Sequence, residues 1–151
     1  MTDKMVKMLS TWFYIGYFPF APGSMASVAG VLIYLVLGQY VLAYILLFVV
    51  VTVLGFMVSG PMEKLIDSTD PSCVVIDEIS GVMLAFFLLP AKWPVIVAAF
   101  FLFRAFDMFK IYPGNKFEEL HGGVGIMMDD VMAGIYTNIV MHIAIRWAGI
   151  V

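Results

Sequence analysis

Charge is what this sequence has least of. Aspartate, glutamate, lysine and arginine make up 13% of its 151 residues, about half the ~25% that a soluble domain uses to face water. The shortage is uneven, since no charged residue occurs between Met8 and Met62, a stretch of 55 residues. A soluble fold and a disordered chain are both excluded, because 63% of the residues are hydrophobic and a chain this size has no aqueous surface on which to spread them. Cysteine is almost missing too. The lone Cys73 can close no internal disulfide and fits no metal-type spacing. A secreted disulfide scaffold is therefore excluded, and Cys73 is expected to be a small buried hydrophobe. Positive charge is also short: eight Lys and Arg against eleven Asp and Glu leave −3, with no basic surplus to hold a nucleic-acid backbone.

What is present in abundance is apolar sequence cut by breakers. Pro22-Gly23, Gly38-Gln39, Gly60-Pro61 and the turn Pro90-Ala91-Lys92-Trp93 delimit apolar helices over residues 26–37, 40–59, 74–89 and 94–109, with a last one over 130–147. The segment 8–18, followed at once by Pro19 and Pro22, reads as a membrane-surface or re-entrant helix. The expected fold is all-α: a single domain over 1–151, built as a polytopic membrane bundle of about four to five spanning helices plus that N-terminal piece. The uncharged runs 79–91 and 131–145 cover only about 20 Å at ~1.5 Å per residue, against a hydrocarbon core of ~30 Å. Their flanking charges must sit near the membrane boundary. Small residues four apart, Ala26 with Gly30 and Gly81 with Ala85, suit close helix approach in lipid.

If successive helices cross alternately, residues 22–27, 63–78, 104–110 and the loop to Asp130 fall on one side, and Gln39, Lys92 and Arg146 on the other. Asp77, Glu78, Arg104, Asp107, Lys110, Asp129 and Asp130 then converge, although they are far apart in sequence. Ionisable residues at membrane depth are costly and usually functional. Five acids with two bases hold together only by protonation or a bound cation, and all-oxygen ligands favour Mg²⁺ or Mn²⁺. Arg104, Asp107 and Lys110 recur every three residues and project from neighbouring positions of one helix. His121-Gly122-Gly123-Val124-Gly125 is a glycine-rich loop whose N–H groups could face a phosphate. Pro22-Gly23-Ser24 opens a helix whose N-terminus attracts anions. His142 lies on the far half of the last helix and reads as a satisfied packing residue. No Cys-x5-Arg loop, Asp-x-Asp pair, Ser-x-x-Lys, Gly-x-Ser-x-Gly or P-loop is present, which removes the usual cues for several other hydrolase chemistries.

Four motifs occur in a telling order. Pro22-Gly23-Ser24-Met25-Ala26-Ser27, Ile76-Asp77-Glu78, Phe103-Arg104-Ala105-Phe106-Asp107-Met108-Phe109-Lys110, and His121 to Asp130 with Ala133-Gly134 together resemble the phosphatidylglycerophosphatase A family, across about residues 18–134. One departure is visible: the family tends to carry a proline directly after the lysine of the third motif, where this chain has Ile111-Tyr112-Pro113. The resemblance implies a Mg²⁺-dependent enzyme of the bacterial inner membrane that converts phosphatidylglycerophosphate to phosphatidylglycerol and phosphate. On that reading Glu78, Asp107, Asp129 and Asp130 hold Mg²⁺, Asp77 is a ligand or a base, and Arg104 and Lys110 bind phosphate oxygens. Pro22, Gly23, Ser24, Ser27, His121, Gly122 and Gly123 complete the substrate site, and membrane lipid surrounds the bundle. A cation-coupled transporter with an intramembrane carboxylate site is the alternative, against which Arg104 and Lys110 weigh because fixed cations repel a transported one. Lys4, Lys7, Lys64 and Lys116 on the acid-bearing side outnumber Lys92 and Arg146, so the site is expected to face the cytoplasm.

Overall fold

A computed structural model describes residues 1–68, 71–110, 116, 120 and 122–149. The described residues form six helices, one short 3₁₀ turn and no strand: α1 (Asp3–Ser10), the 3₁₀ turn (Ile15–Tyr17), α2 (Pro22–Leu37), α3 (Val41–Ile66), α4 (Ile76–Ala85), α5 (Trp93–Phe109) and α6 (Gly123–Ala148). The all-helical expectation holds.

Several boundaries differ from those the sequence suggests, each for a local reason. The apolar segment 8–18 is not one helix. α1 starts upstream, where the Thr2 hydroxyl accepts from Met5 N at 3.3 Å and Asp3 and Lys7 complement the dipole. It stops before Trp12, Phe13 and Tyr14, whose φ values of 48°, 54° and 70° are left-handed. α2 begins at Pro22 rather than residue 26, because proline is tolerated in the first helical turn, where its missing N–H has no helical partner. α3 runs through Gly60-Pro61 to Ile66: Pro61 removes one i→i−4 bond, and the rest of the ladder carries the helix on. α6 begins at Gly123, so Asp129 and Asp130 lie well inside the helix rather than at its start.

α4 is the hub. It is ten residues long, packs against α2, α3, α5 and most extensively α6, and eight of its ten residues are buried. Backbones approach closely at the small residues: a Cβ on Gly81 would lie 2.6 Å from Asp130 O, and one on Gly134 would strike Gly81 O. Gly30 likewise sits against Val82, so the small-residue spacing does serve packing. Tyr34 donates to Leu89 O at 2.7 Å, Tyr44 to Met83 O at 2.6 Å, and Asn138 Nδ2 to Phe87 O at 2.8 Å. These bonds satisfy the chain where α4 ends. His142 Nε2 lies 3.1 Å from the same Phe87 carbonyl, in keeping with a packing role.

Among the described residues, two helices are long and apolar enough to cross a membrane, α3 and α6. α2 is a shorter apolar helix of 16 residues. At ~1.5 Å per residue it covers about 24 Å, short of the ~30 Å hydrocarbon core. Only 22% of the apolar window of α3 is buried, and Leu42, Leu46, Val50 and Val53 are more than half exposed. A helix so apolar and so little covered by its own protein is not the core of a soluble domain; its outward face is suited to lipid.

Candidate functional site

One end of the bundle encloses a cavity of about 420 Å³ to which four parts of the chain contribute. Ala21, Pro22, Gly23 and Ser24 come from the start of α2. Pro71, Ser72, Val74, Asp77 and Glu78 come from the approach to α4 and its first turn. The end of α5 supplies Arg104, Asp107, Met108 and Lys110, and α6 supplies Ile126, Asp129 and Asp130. The five acids and both cations that the alternating-helix argument brings to one side thus share one cavity.

Each segment has a reason to present its groups there. Asp77 and Glu78 occupy the first turn of α4, where the positive end of the helix dipole favours carboxylates. Glu78 also lies against the start of α2, and Gly23 makes that possible: a Cβ at position 23 would collide with the Glu78 carboxylate. Arg104 and Asp107 stand one helical turn apart on α5. Lys110 caps α5 in the left-handed region at φ 46°, which ends the helix, and its ammonium meets α6.

Two ion-pair groups organise the cavity. Arg104 Nη1 donates to Glu78 Oε2 at 2.6 Å and to Asp107 Oδ2 at 2.9 Å, and reaches Ser27 Oγ at 3.4 Å. The Ser27 hydroxyl in turn shares its hydrogen between Gly23 O at 3.0 Å and Glu78 Oε2 at 3.2 Å. Lys110 Nζ donates to Asp129 Oδ2 at 3.1 Å. Asp77, Asp129 and Asp130 are buried, with 7%, 9% and 3% exposure. The Asp130 Oδ1 atom is buried with no hydrogen-bond partner among the described residues, an arrangement that costs free energy unless a ligand or proton satisfies it. Taking all seven charged groups as ionised, five acids against two bases leave −3 in the cavity.

Not every expected site residue is here. Ser27 lies just behind the wall, bonded to it. Gly122 and Gly123 are absent from the lining: Gly122 N donates to Glu63 Oε2 at 3.0 Å, and Gly123 lies where a Cβ would press on Phe56 O at 2.6 Å. In the structure these glycines let α6 approach α3. His121 lies outside the described residues. Cys73 does not line the cavity; it is partly exposed and burial pushes its thiol up, the opposite of an activated nucleophile. Sequence reasoning missed Ala21, Pro71, Ser72, Val74, Met108 and Ile126 as wall residues, and Glu63 as the partner of the α6 start. Glu63 and Ser72 bound the polar stretch 63–72, the one signal that pointed to them.

The chain is similar to known proteins along most of its length. The family model for phosphatidylglycerophosphatase A matches residues 8–145. A Bacteroides thetaiotaomicron protein provisionally named phosphatidylinositol-3-phosphatase is 38% identical, covering 93% of this chain and 92% of its own. Haemophilus influenzae phosphatidylglycerophosphatase A is 34% identical over 94% of this chain and 90% of its own. Its Escherichia coli namesake is 31% identical over 93% and 84%. No solved structure matches the chain significantly. With the family model spanning nearly the whole chain and relatives above 30% identity aligned end to end, the chain belongs to the phosphatidylglycerophosphatase A family.

Proposed function

We propose that the chain is a Mg²⁺-dependent lipid phosphatase that hydrolyses phosphatidylglycerophosphate to phosphatidylglycerol and phosphate. The observation that carries this is the cavity itself: five carboxylates and two cations at one end of an otherwise apolar bundle, in a member of a family so named. Arg104 and Lys110 are the groups for phosphate oxygens, the guanidinium by its planar fork and the ammonium as a point charge. The first turn of α2 adds the N–H groups of Gly23 and Ser24, behind Pro22, at the positive end of a helix dipole. Asp77 would take a proton from attacking water or join the ligand set.

The donor set suits a hard divalent cation, being all oxygen and including the unsatisfied Asp130 Oδ1. Among the described residues no three acidic, His or Cys side chains already surround one point, because Arg104 holds Glu78 and Asp107 while Lys110 holds Asp129. Glu78, Asp107, Asp129 and Asp130 would hold Mg²⁺, which when bound neutralises phosphate charge and acidifies water. Arg104 and Lys110 would then be released toward the substrate phosphate. The same cations disfavour a cation transporter, since they already occupy three of its carboxylates. We place the chain in the bacterial inner membrane with four to five crossings and the cavity toward the cytoplasm, supported by its apolar, lipid-suited surface and by the lysine distribution.

Phosphate release from phosphatidylglycerophosphate, measured with Mg²⁺ and with excess chelator, tests both parts. Turnover with metal and none without is expected; full activity in chelator would remove the metal assignment. The name of the Bacteroides relative favours one second reading, phosphatidylinositol 3-phosphate as substrate. The same assay decides it by comparing kcat/KM for the two lipids.

A further inference from the structure

α2 leaves the cavity from its N-terminus and α5 reaches it with its C-terminus, and between them runs an apolar groove of about 300 Å³. Its floor is Ile96, which is buried, with the half-buried Val31 and Phe100. Its rim is Leu35, Val97 and Phe101, exposed by 44%, 49% and 66%. Every side chain that lines it is apolar or aromatic. At the cavity end Val28 directly follows Ser27, and Phe100 lies one turn before Arg104. The groove therefore begins where the polar site stops.

We propose that this groove holds an acyl chain of the lipid whose phosphate occupies the cavity. The proposal rests on the phosphatase reading above and adds where the rest of the substrate lies. Three observations favour this occupant. The charged cavity and the apolar groove share the same two helices, which matches a molecule with an anionic head and an apolar tail. From Ser27 to Leu35 the groove runs about 12 Å at ~1.5 Å per residue, close to the ~15 Å of one leaflet, the depth of a chain whose head stays at the surface. Its rim is open to the side, so a lipid can enter from the bilayer without crossing water. A second apolar groove of about 280 Å³, between α3 and α4 at Tyr44, Ile45 and Phe87, fails the first of these. It lies at the end of α3 remote from Glu63, and α3, unlike α2 and α5, supplies no residue to the cavity wall.

The test fills each groove in turn. Leu35→Trp and Val97→Trp are substitutions at exposed groove positions several residues from Ser27 and Arg104. Phosphate release is measured from dioleoyl and dihexanoyl phosphatidylglycerophosphate in mixed micelles. In both variants kcat/KM for the dioleoyl lipid should fall at least about tenfold, chiefly through KM, while the dihexanoyl value stays within about twofold of wild type. Retained short-chain activity shows that the variant is folded. Ile45→Trp in the other groove should change neither. Equal losses on both lipids, no loss on either, or a long-chain loss confined to Ile45→Trp would overturn the assignment. Wild-type protein that turns over neither lipid would instead overturn the phosphatase reading, and the groove with it.

Discussion

Gly23 and Glu78 are 55 positions apart in sequence, yet the absence of one side chain makes room for the other's carboxylate. Gly23→Ala should therefore push Glu78 away from Ser27 and Arg104 and lower kcat at least about tenfold, or ~1.4 kcal/mol. Circular dichroism should show an unchanged helix content, since alanine favours helix more than glycine does. Loss of activity only together with loss of helix would refute that account. Among the charged residues, Glu78→Gln, Asp129→Asn and Asp130→Asn should each lower kcat by at least about 100-fold, roughly 2.7 kcal/mol at 1.36 kcal/mol per decade. Arg104→Lys should be comparably damaging, because the Nη1 that bonds both Glu78 and Asp107 stands one bond farther from Cα than a lysine Nζ, and because an ammonium lacks the planar fork proposed to grip two phosphate oxygens. Cys73→Ala should be nearly silent. A dead Cys73 variant beside active acid variants would contradict the mechanism. These residues were legible in the sequence because membrane sequence makes each charge conspicuous. Glu63 was not, since nothing in its own neighbourhood shows that it receives the N–H of Gly122, 59 residues away.

At the scale of elements, α4 and α6 meet backbone to backbone through Gly81 and Gly134, and this contact sets where Asp130 stands. A methyl at Gly134 has no flexible side chain to displace, because what it strikes is the Gly81 carbonyl. Gly134→Ala should lower both the thermal midpoint and kcat, as α6 shifts and carries Asp129 and Asp130 with it. Gly60→Ala, whose Cβ would lie 3.3 Å from Gly123 N, should cost less in both. Equal effects from the two substitutions, measured by thermal unfolding and phosphate release, would show that the α4–α6 contact has no special weight. Helix existence was readable from apolar runs and breakers, but helix ends were not. Gly60-Pro61 looks like a stop in sequence, but α3 continues for five residues beyond Pro61, because packing of its last turns against the start of α6 outweighs one missing hydrogen bond. The glycine-rich stretch looks like a phosphate loop and instead opens α6, since Gly123 is needed where two backbones touch.

For the whole molecule, the remaining question is which way the cavity faces. Its mouth carries Ser72, and the same end of the bundle holds the end of α3 with Lys64 and the exposed Ser68. The opposite end carries the exposed Ala91 and Lys92 before α5 and Arg146 in the last turn of α6. Arg104 and Lys110 are committed to ion pairs inside the site and should be discounted as topology signals. Lys4, Lys7, Lys64 and Lys116 then still outnumber Lys92 and Arg146, and excess positive charge marks the cytoplasmic side. A single cysteine at Ser68 and another at Ala91, each in a Cys73→Ala background, convert this into a measurement. In intact cells a membrane-impermeant thiol reagent should label position 91 and spare position 68, and permeabilised cells should label both. The reverse pattern in intact cells would place the cavity on the outer face and overturn the proposed orientation. Labelling of both positions in intact cells would put residues 68 and 91 on the same side and overturn the proposed alternating topology.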